Sequence, residues 1–286
     1  MQSTTRRNFL QDSASLVGLA LASPLIATCA QQPSRRIDEI GLQVYTIRNA
    51  IKADWQAALR QVAAVGYDTL EMGGHYGESP EAFKAFLQEI GLKVISGGGG
   101  IGELRRNPES VIEKLLELDR SYIVCFWPWE DSPEGKTLDD WKRLAADLNV
   151  IGEKVRAAGL TFAYHNHDLE FKLTDGVIPY DILLDETDAS LVAMEIDLYW
   201  ILKGGQKPIP YLQKYPGRFP LWHVKDMDGT PERGFACVGE GIIHFAEIFA
   251  HAETAGLQHI FVEQDQPTDE MACIRASHDY LRALRY

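Results

Sequence analysis

The stretch Thr161-Phe162-Ala163-Tyr164-His165-Asn166-His167-Asp168-Leu169-Glu170-Phe171 opens as a short β-rich run and leaves it through two histidines, an amide and two acids. Three later runs finish in the same manner: Met194-Glu195-Ile196-Asp197, Leu221-Trp222-His223-Val224-Lys225-Asp226 and Ile260-Phe261-Val262-Glu263. A ring of parallel strands gathers its C-terminal ends around one mouth, so polar residues far apart in sequence converge there. The pattern therefore predicts an α/β chain folded as a single-domain (β/α)8 barrel.

Working outward from that stretch, β-rich runs alternate with helical patterns from Ile37 onward, the signature of repeated βα units. Strands are expected over 39–46, 69–72, 93–96, 122–126, 161–165, 192–197, 221–225 and 259–263. Helices are expected around 55–65, stopped by Gly66, and from Ser79-Pro80 to Gly91. Further helices are expected over 108–118, 138–158, 179–185, 209–214, 242–255 and 269–284, while Gly97 to Gly100 read as a flexible loop after the third strand. A doubly wound open sheet is the main competitor, but no Gly-x-Gly-x-x-Gly turn follows the first strand.

The 286 residues carry a net charge of −13, and 45% of them are hydrophobic, enough for one large core. Residues 1–30 hold Arg6, Arg7 and Asp12, net +1, so the remainder carries −14 and repels polyanions. Nucleic acid is therefore an unfavoured partner. Thr5-Arg6-Arg7-Asn8-Phe9-Leu10 ahead of a mild apolar stretch resembles a twin-arginine export signal, which predicts a periplasmic protein. The domain layout is then a signal at 1–30, a linker at 31–36 and the barrel at 37–286. The apolar stretch is short for a membrane span. Cys29 is a weak candidate for a lipid anchor, with Thr28 before it departing from the usual small residue. Cys125, Cys237 and Cys273 are widely and irregularly spaced, so buried unpaired thiols are expected.

Side chains alternate along a strand, so Glu195 shares a face with Asp197, His223 with Lys225 and Glu263 with Asp265. Charges facing the mouth are costly unless paired or bound to an ion. Asp197, His223 and Glu263 are the core candidate metal ligands, in a mixed imidazole and carboxylate set suited to Mn, Zn, Co or Fe. In the fifth run His165 and His167 fall on one face as base, substrate-orienting group or ligand, Asn166 is a candidate substrate contact, and Glu170 is placed to fold back as a fourth ligand. Glu71 beside Gly73-Gly74-His75 and Lys225 are further catalytic candidates. Trp127 and Trp200, with Trp129 and Tyr199, suit stacking on a sugar face.

These pieces, with Asp197-Leu198-Tyr199-Trp200 and Gly239-Glu240-Gly241, resemble the xylose isomerase-like TIM barrels often labelled sugar phosphate isomerase/epimerase, over roughly residues 37–286. The resemblance implies a divalent metal held by groups of strands five to eight, with Asp197, His223 and Glu263 matching the last three. His165 stands where many relatives have Glu, so the fourth ligand is Glu170, His165 or a water. It also implies proton abstraction beside a carbonyl, giving isomerisation, epimerisation or elimination. The expected partner is a small carbohydrate, unphosphorylated because no basic phosphate cradle is visible. A homodimer is possible. The alternatives are a non-catalytic carbohydrate-binding barrel or, against the charge, a nuclease of the endonuclease IV type.

Overall fold

The computed structural model describes residues 35–286; the expected export signal, Cys29 and the first part of the expected linker lie outside the described residues. Eight strands close into a parallel barrel: β1 (Gly41–Gln43), β2 (Thr69–Glu71), β3 (Lys93–Gly100), β4 (Tyr122–Trp127), β5 (Thr161–His165), β6 (Val192–Asp197), β7 (Leu221–Val224) and β10 (His259–Val262), with β10 completing the ring between β7 and β1. A short antiparallel ribbon, β8 (Asp226–Met227) and β9 (Phe235–Ala236), follows β7. The single barrel expected from the sequence is present. No helix among the described residues is long and apolar enough to cross a membrane.

Period-two alternation sorts the strand residues into two populations. Those pointing outward join the large apolar layer between barrel and helices, with Tyr164, Trp222 and Ile196 all buried. Those pointing inward form a smaller plug at the base, Tyr122, Val124, Ala163, Leu221 and Phe261. One step further the inward residues turn polar at His165, His223 and Glu263, while β4 keeps Phe126 there. Register brings them level: Gln43 pairs with Glu71, Glu71 with Ser96, His165 with Glu195, and Asp197 with His223.

Several boundaries differ from expectation for identifiable reasons. Gly97 to Gly100 are strand, not loop: a Cβ on Gly97 would lie 2.0 Å from the Met72 carbonyl oxygen and one on Gly98 1.8 Å from that of Val124. Here glycine permits close backbone approach in place of flexibility. β1 is shorter than expected because Val44–Ile47 turns into a 3-10 helix, stabilised by the Gln43 side chain accepting from the Tyr45 N–H. The single helix expected over 242–255 is two short ones, Phe245–Phe249 and Ala252–Ala255.

The cysteine expectation is also corrected. Cys237 and Cys273 form a disulfide across 36 residues, tying the segment after β9 to the last helix, Glu270–Ala283. Cys125 is the buried free thiol that was expected.

Candidate active site

The C-terminal mouth of the barrel holds a cluster of buried charge. Glu71, Glu195 and Asp197 are wholly buried, and His165, His223, Lys225 and Glu263 nearly so. His223 stands at the centre. Its Nδ1 lies 2.9 Å from Glu263 Oε2 and 3.9 Å from Asp197 Oδ2, and its Nε2 lies 2.5 Å from Glu71 Oε1 and 3.3 Å from Glu195 Oε2. The expected trio of Asp197, His223 and Glu263 is thus brought together. Lys225 spans its rim, with Nζ 3.2 Å from Asp197 Oδ2, 2.8 Å from Glu263 Oε2 and 3.1 Å from Asp265 Oδ2.

His165 completes the group. Its Nε2 is 3.9 Å from Asp197 Oδ2, and its Nδ1 is 3.2 Å from Glu195 Oε2. Two sets of ligand atoms lie within 4.8 Å of one another: His165, Asp197 and His223, and Glu71, Glu195 and His223. Asp197 uses Oδ1 to accept from the Trp200 N–H, capping the helix Leu198–Lys203, which leaves Oδ2 aimed into the group, where the Lys225 ammonium faces it at 3.2 Å.

Burial and mutual charge set the protonation. Burial raises Asp197 to about 6 against the pull of Lys225. It raises Glu195 well above the usual carboxylate range, and the neighbouring Glu71 raises it further. Burial opposes charge on His223, but Glu195, Glu71 and Glu263 outweigh it and hold the imidazole well above its ordinary value. On Lys225 burial is likewise outweighed, by Asp197, Glu263 and Asp265, so the ammonium persists. Burial lowers His165 well below the ordinary range and His167 to about 4, leaving both neutral.

A cavity of about 580 Å³ opens above the cluster, lined by His165, His167, Trp200, Lys225 and Phe126 among others. His165 and His167 both reach it, with ring centroids 4.9 Å apart, as their shared face predicts. Trp127 and Trp200 flank His167, at 5.1 Å and 5.5 Å between centroids. Trp200 and Phe235 also face the Lys225 ammonium, at 5.3 Å and 5.7 Å.

Other candidates are placed differently. Glu170 does not join the cluster: its oxygens accept from the Tyr164 hydroxyl at 2.6 Å and the His167 N–H at 2.9 Å, on the outer side of β5. Asn166 staples β5 to β6, accepting from the Asp197 N–H and donating to the Asp197 carbonyl, so it is not free for substrate. Glu71 lies below the cavity, held by Gln43, Ser96 and His223, and therefore positions His223. Trp129 is buried against Trp141, and Tyr199 donates to the Arg233 carbonyl. The sequence reading passed over Gln43, Ser96, Glu195 and Phe235 as site residues. Only Glu195 carried a signal, its shared face with Asp197.

The loop after β7 is organised by Asp226. Its carboxylate accepts from the N–H groups of Met227, Gly239, Gly241 and Ile243. A Cβ on Gly241 would lie 2.3 Å from Asp226 Oδ1, which accounts for the Gly239-Glu240-Gly241 segment without any ligand.

The model of the xylose isomerase-like TIM barrel family matches residues 59–284. This chain belongs to that family. An inosose dehydratase of Bacillus anthracis is 30% identical over 248 residues, covering 74% of this chain and 83% of the relative. One from Lacticaseibacillus casei is 24% identical over 249 residues, covering 74% and 82%. A sugar phosphate isomerase/epimerase from Parabacteroides distasonis superposes with a TM-score of 0.74 at 25% identity, covering 90% of this chain and 98% of that one. Its relatives are thus sugar-modifying barrel enzymes.

Proposed function

We propose that this protein is a divalent-metal-dependent isomerase, epimerase or lyase acting on a sugar or keto-sugar derivative through proton abstraction beside a carbonyl. The observation that carries this reading is the convergence of His165, Asp197 and His223, all buried, with ligand atoms within 4.8 Å of one another. The donor set fits an ion. Asp197 Oδ2 faces the Lys225 ammonium at 3.2 Å but, like both Glu195 oxygens, is buried without a hydrogen bond, so carboxylate lone pairs in the group stay open to an ion. His165, Asp197, His223 and Glu263 are the residues that would hold it, a mixed set suited to Mn, Zn, Co or Fe.

A divalent ion there supplies Lewis acidity, which lowers the cost of removing the proton beside a polarised carbonyl. The chain supplies the rest. His167, neutral and lining the cavity, is placed to take the proton. Lys225, kept charged by three carboxylates, offers a fixed positive charge to an oxygen gaining negative charge. Trp127 and Trp200 offer apolar faces beside His167. The inosose dehydratase relatives support this class of reaction, since loss of water begins with the same proton removal.

The export expected from residues 1–30 is part of the proposal, supported by the Cys237–Cys273 disulfide, a bond that persists in oxidising compartments. The test is elemental analysis of the purified protein and of Asp197→Ala, combined with NMR-detected deuterium uptake into a panel of keto sugars. Metal and exchange lost together in the variant are expected; exchange that survives loss of the metal would sink the reading.

A further inference from the structure

The ribbon of β8 and β9 separates two spaces. On one side Trp200 and Lys225 line the cavity above the cluster. On the other lies a cavity of about 400 Å³, bounded by Phe235 and Cys237 of the ribbon segment and by Gln264, Asp269 and Cys273 opposite. Both members of the disulfide thus line this outer cavity, where a small reductant can reach them.

Phe235 belongs to both spaces. Its ring centroid is 4.6 Å from that of Tyr199 and 5.6 Å from that of Trp200, and it lies 5.7 Å from the Lys225 ammonium. The ring therefore stands directly behind two groups of the inner cavity. Its own backbone is weakly held: two residue pairs join β8 to β9, Asp226 with Ala236 and Met227 with Phe235, and an isolated two-stranded ribbon is marginal at best. Beyond the Arg233 carbonyl, which accepts from Tyr199, and the amides held by Asp226, support comes from the last helix. Cys237 is bonded to Cys273, the Val238 N–H donates to Ser277 Oγ at 3.0 Å, and a Cβ on Gly239 would lie 2.3 Å from Tyr280 Cγ. Among these ties the disulfide is the covalent one, lies two residues from Phe235, and is the one that electrons can open.

We propose that Cys237 and Cys273 are a redox-controlled positioning pair for the cavity wall: bonded, they hold Phe235 against Trp200 and Lys225, and reduced, they let the ring withdraw into the outer cavity. Opening takes two electrons and two protons from a dithiol such as dithiothreitol. The Sγ–Sγ bond breaks, both sulfurs become thiols, and the dithiol closes to its cyclic disulfide. The wall is then firm in the oxidising compartment proposed for this protein and slack in a reducing one. The consequence for substrate rests on the metal-dependent sugar reading; the movement of the wall does not.

Hydroxyl-radical footprinting read by mass spectrometry tests this on the zinc-loaded protein. The states compared are oxidised, reduced and freed of dithiol, and the Cys237→Ser, Cys273→Ser double variant. Oxidation of Trp200 is expected to rise about threefold or more without the bond, while Trp141, buried against Trp129, keeps its rate. Phe235→Ala, or the milder Phe235→Leu, is expected to show the raised Trp200 rate with the bond intact and to gain nothing from reduction. With inosose, D-fructose and D-xylulose as deuterium acceptors, loss of the bond is expected to raise KM about fivefold or more at unchanged kcat and zinc content. A Trp200 rate that ignores the bond, a rise shared by Trp141, equal gains from reduction with and without the Phe235 ring, or a KM that stays put while Trp200 loosens would overturn the proposal. Footprinting needs no substrate, so an absence of deuterium uptake in every state counts against the sugar reading alone, and the tether then stands or falls on Trp200.

Discussion

Glu195 places Oε2 3.2 Å from His165 Nδ1, while the other nitrogen of that ring, Nε2, faces Asp197 Oδ2 at 3.9 Å. The same Glu195 oxygen lies 3.3 Å from His223 Nε2, whose Nδ1 faces Glu263. One buried carboxylate thus stands behind two imidazoles and favours the ring orientation that turns the opposite nitrogens to the shared space. Glu195→Gln is expected to weaken zinc binding by about tenfold to a hundredfold, read by competition with a chromophoric chelator. Unchanged affinity would remove Glu195 from the support of the centre.

His167 makes a sharper separation between holding an ion and moving a proton. His167→Ala is expected to lower the rate of deuterium exchange by a factor on the order of a hundred or more, while zinc content stays at the level of the unsubstituted protein. A parallel loss of zinc would place His167 among the ligands instead.

Glu170 predicts a stability signature distant from the chemistry. Burial raises its carboxyl from the ordinary 4.5 to about 7, despite hydrogen bonds from Tyr164 and the His167 N–H. The folded protein then binds more protons than the unfolded chain between those values. Its contribution is full below pH 4.5 and is lost as pH rises through 7. The loss is roughly 3 kcal/mol. Glu170→Gln, able to accept from the His167 N–H and donate to Tyr164, is expected to flatten this part of the stability profile in urea titrations at pH 5 and pH 8. An unaltered slope would show that Glu170 is ionised in both states.

The disulfide closes a loop of 36 residues. Replacing both Cys237 and Cys273 by serine is expected to lower unfolding free energy by about 4 kcal/mol, measured by denaturant titration against the oxidised protein. Equal midpoints for the two proteins would mean that the bond adds nothing to stability.

The legible parts of this fold were those where local pattern and global position agree. β5 and β6 lie where the sequence sets them, because alternation ends in a polar exit at His165 and Asp197. The mouth is legible for the same reason: residues that end strands must meet there, and His165, Asp197, His223, Lys225 and Glu263 do. What escaped depends on neighbours remote in sequence. Gly97 and Gly98 look like a loop until the carbonyls of Met72 and Val124 are seen pressing on them. Glu71 looks like a catalytic group and Asn166 like a substrate contact until register sets one beneath His223 and the other against the Asp197 backbone. Cys237 and Cys273 carry no local mark of their pairing. Glu170 follows the histidines, yet the turn Leu169–Phe171 swings it to the Tyr164 hydroxyl on the far side of the strand.

Asp226 follows Lys225 in the chain, so the peptide that aims the ammonium also anchors the four amides of the loop. The ribbon leading to Phe235 is hinged on that same point, and its turn, residues 228–234, projects beyond it. Changes of length or composition at this tip can remodel the roof over Lys225 while the floor of acids and imidazoles keeps its shape. On the proposed function, divergence in substrate preference is therefore cheapest at this tip, where recognition of the substrate is separated from movement of the proton.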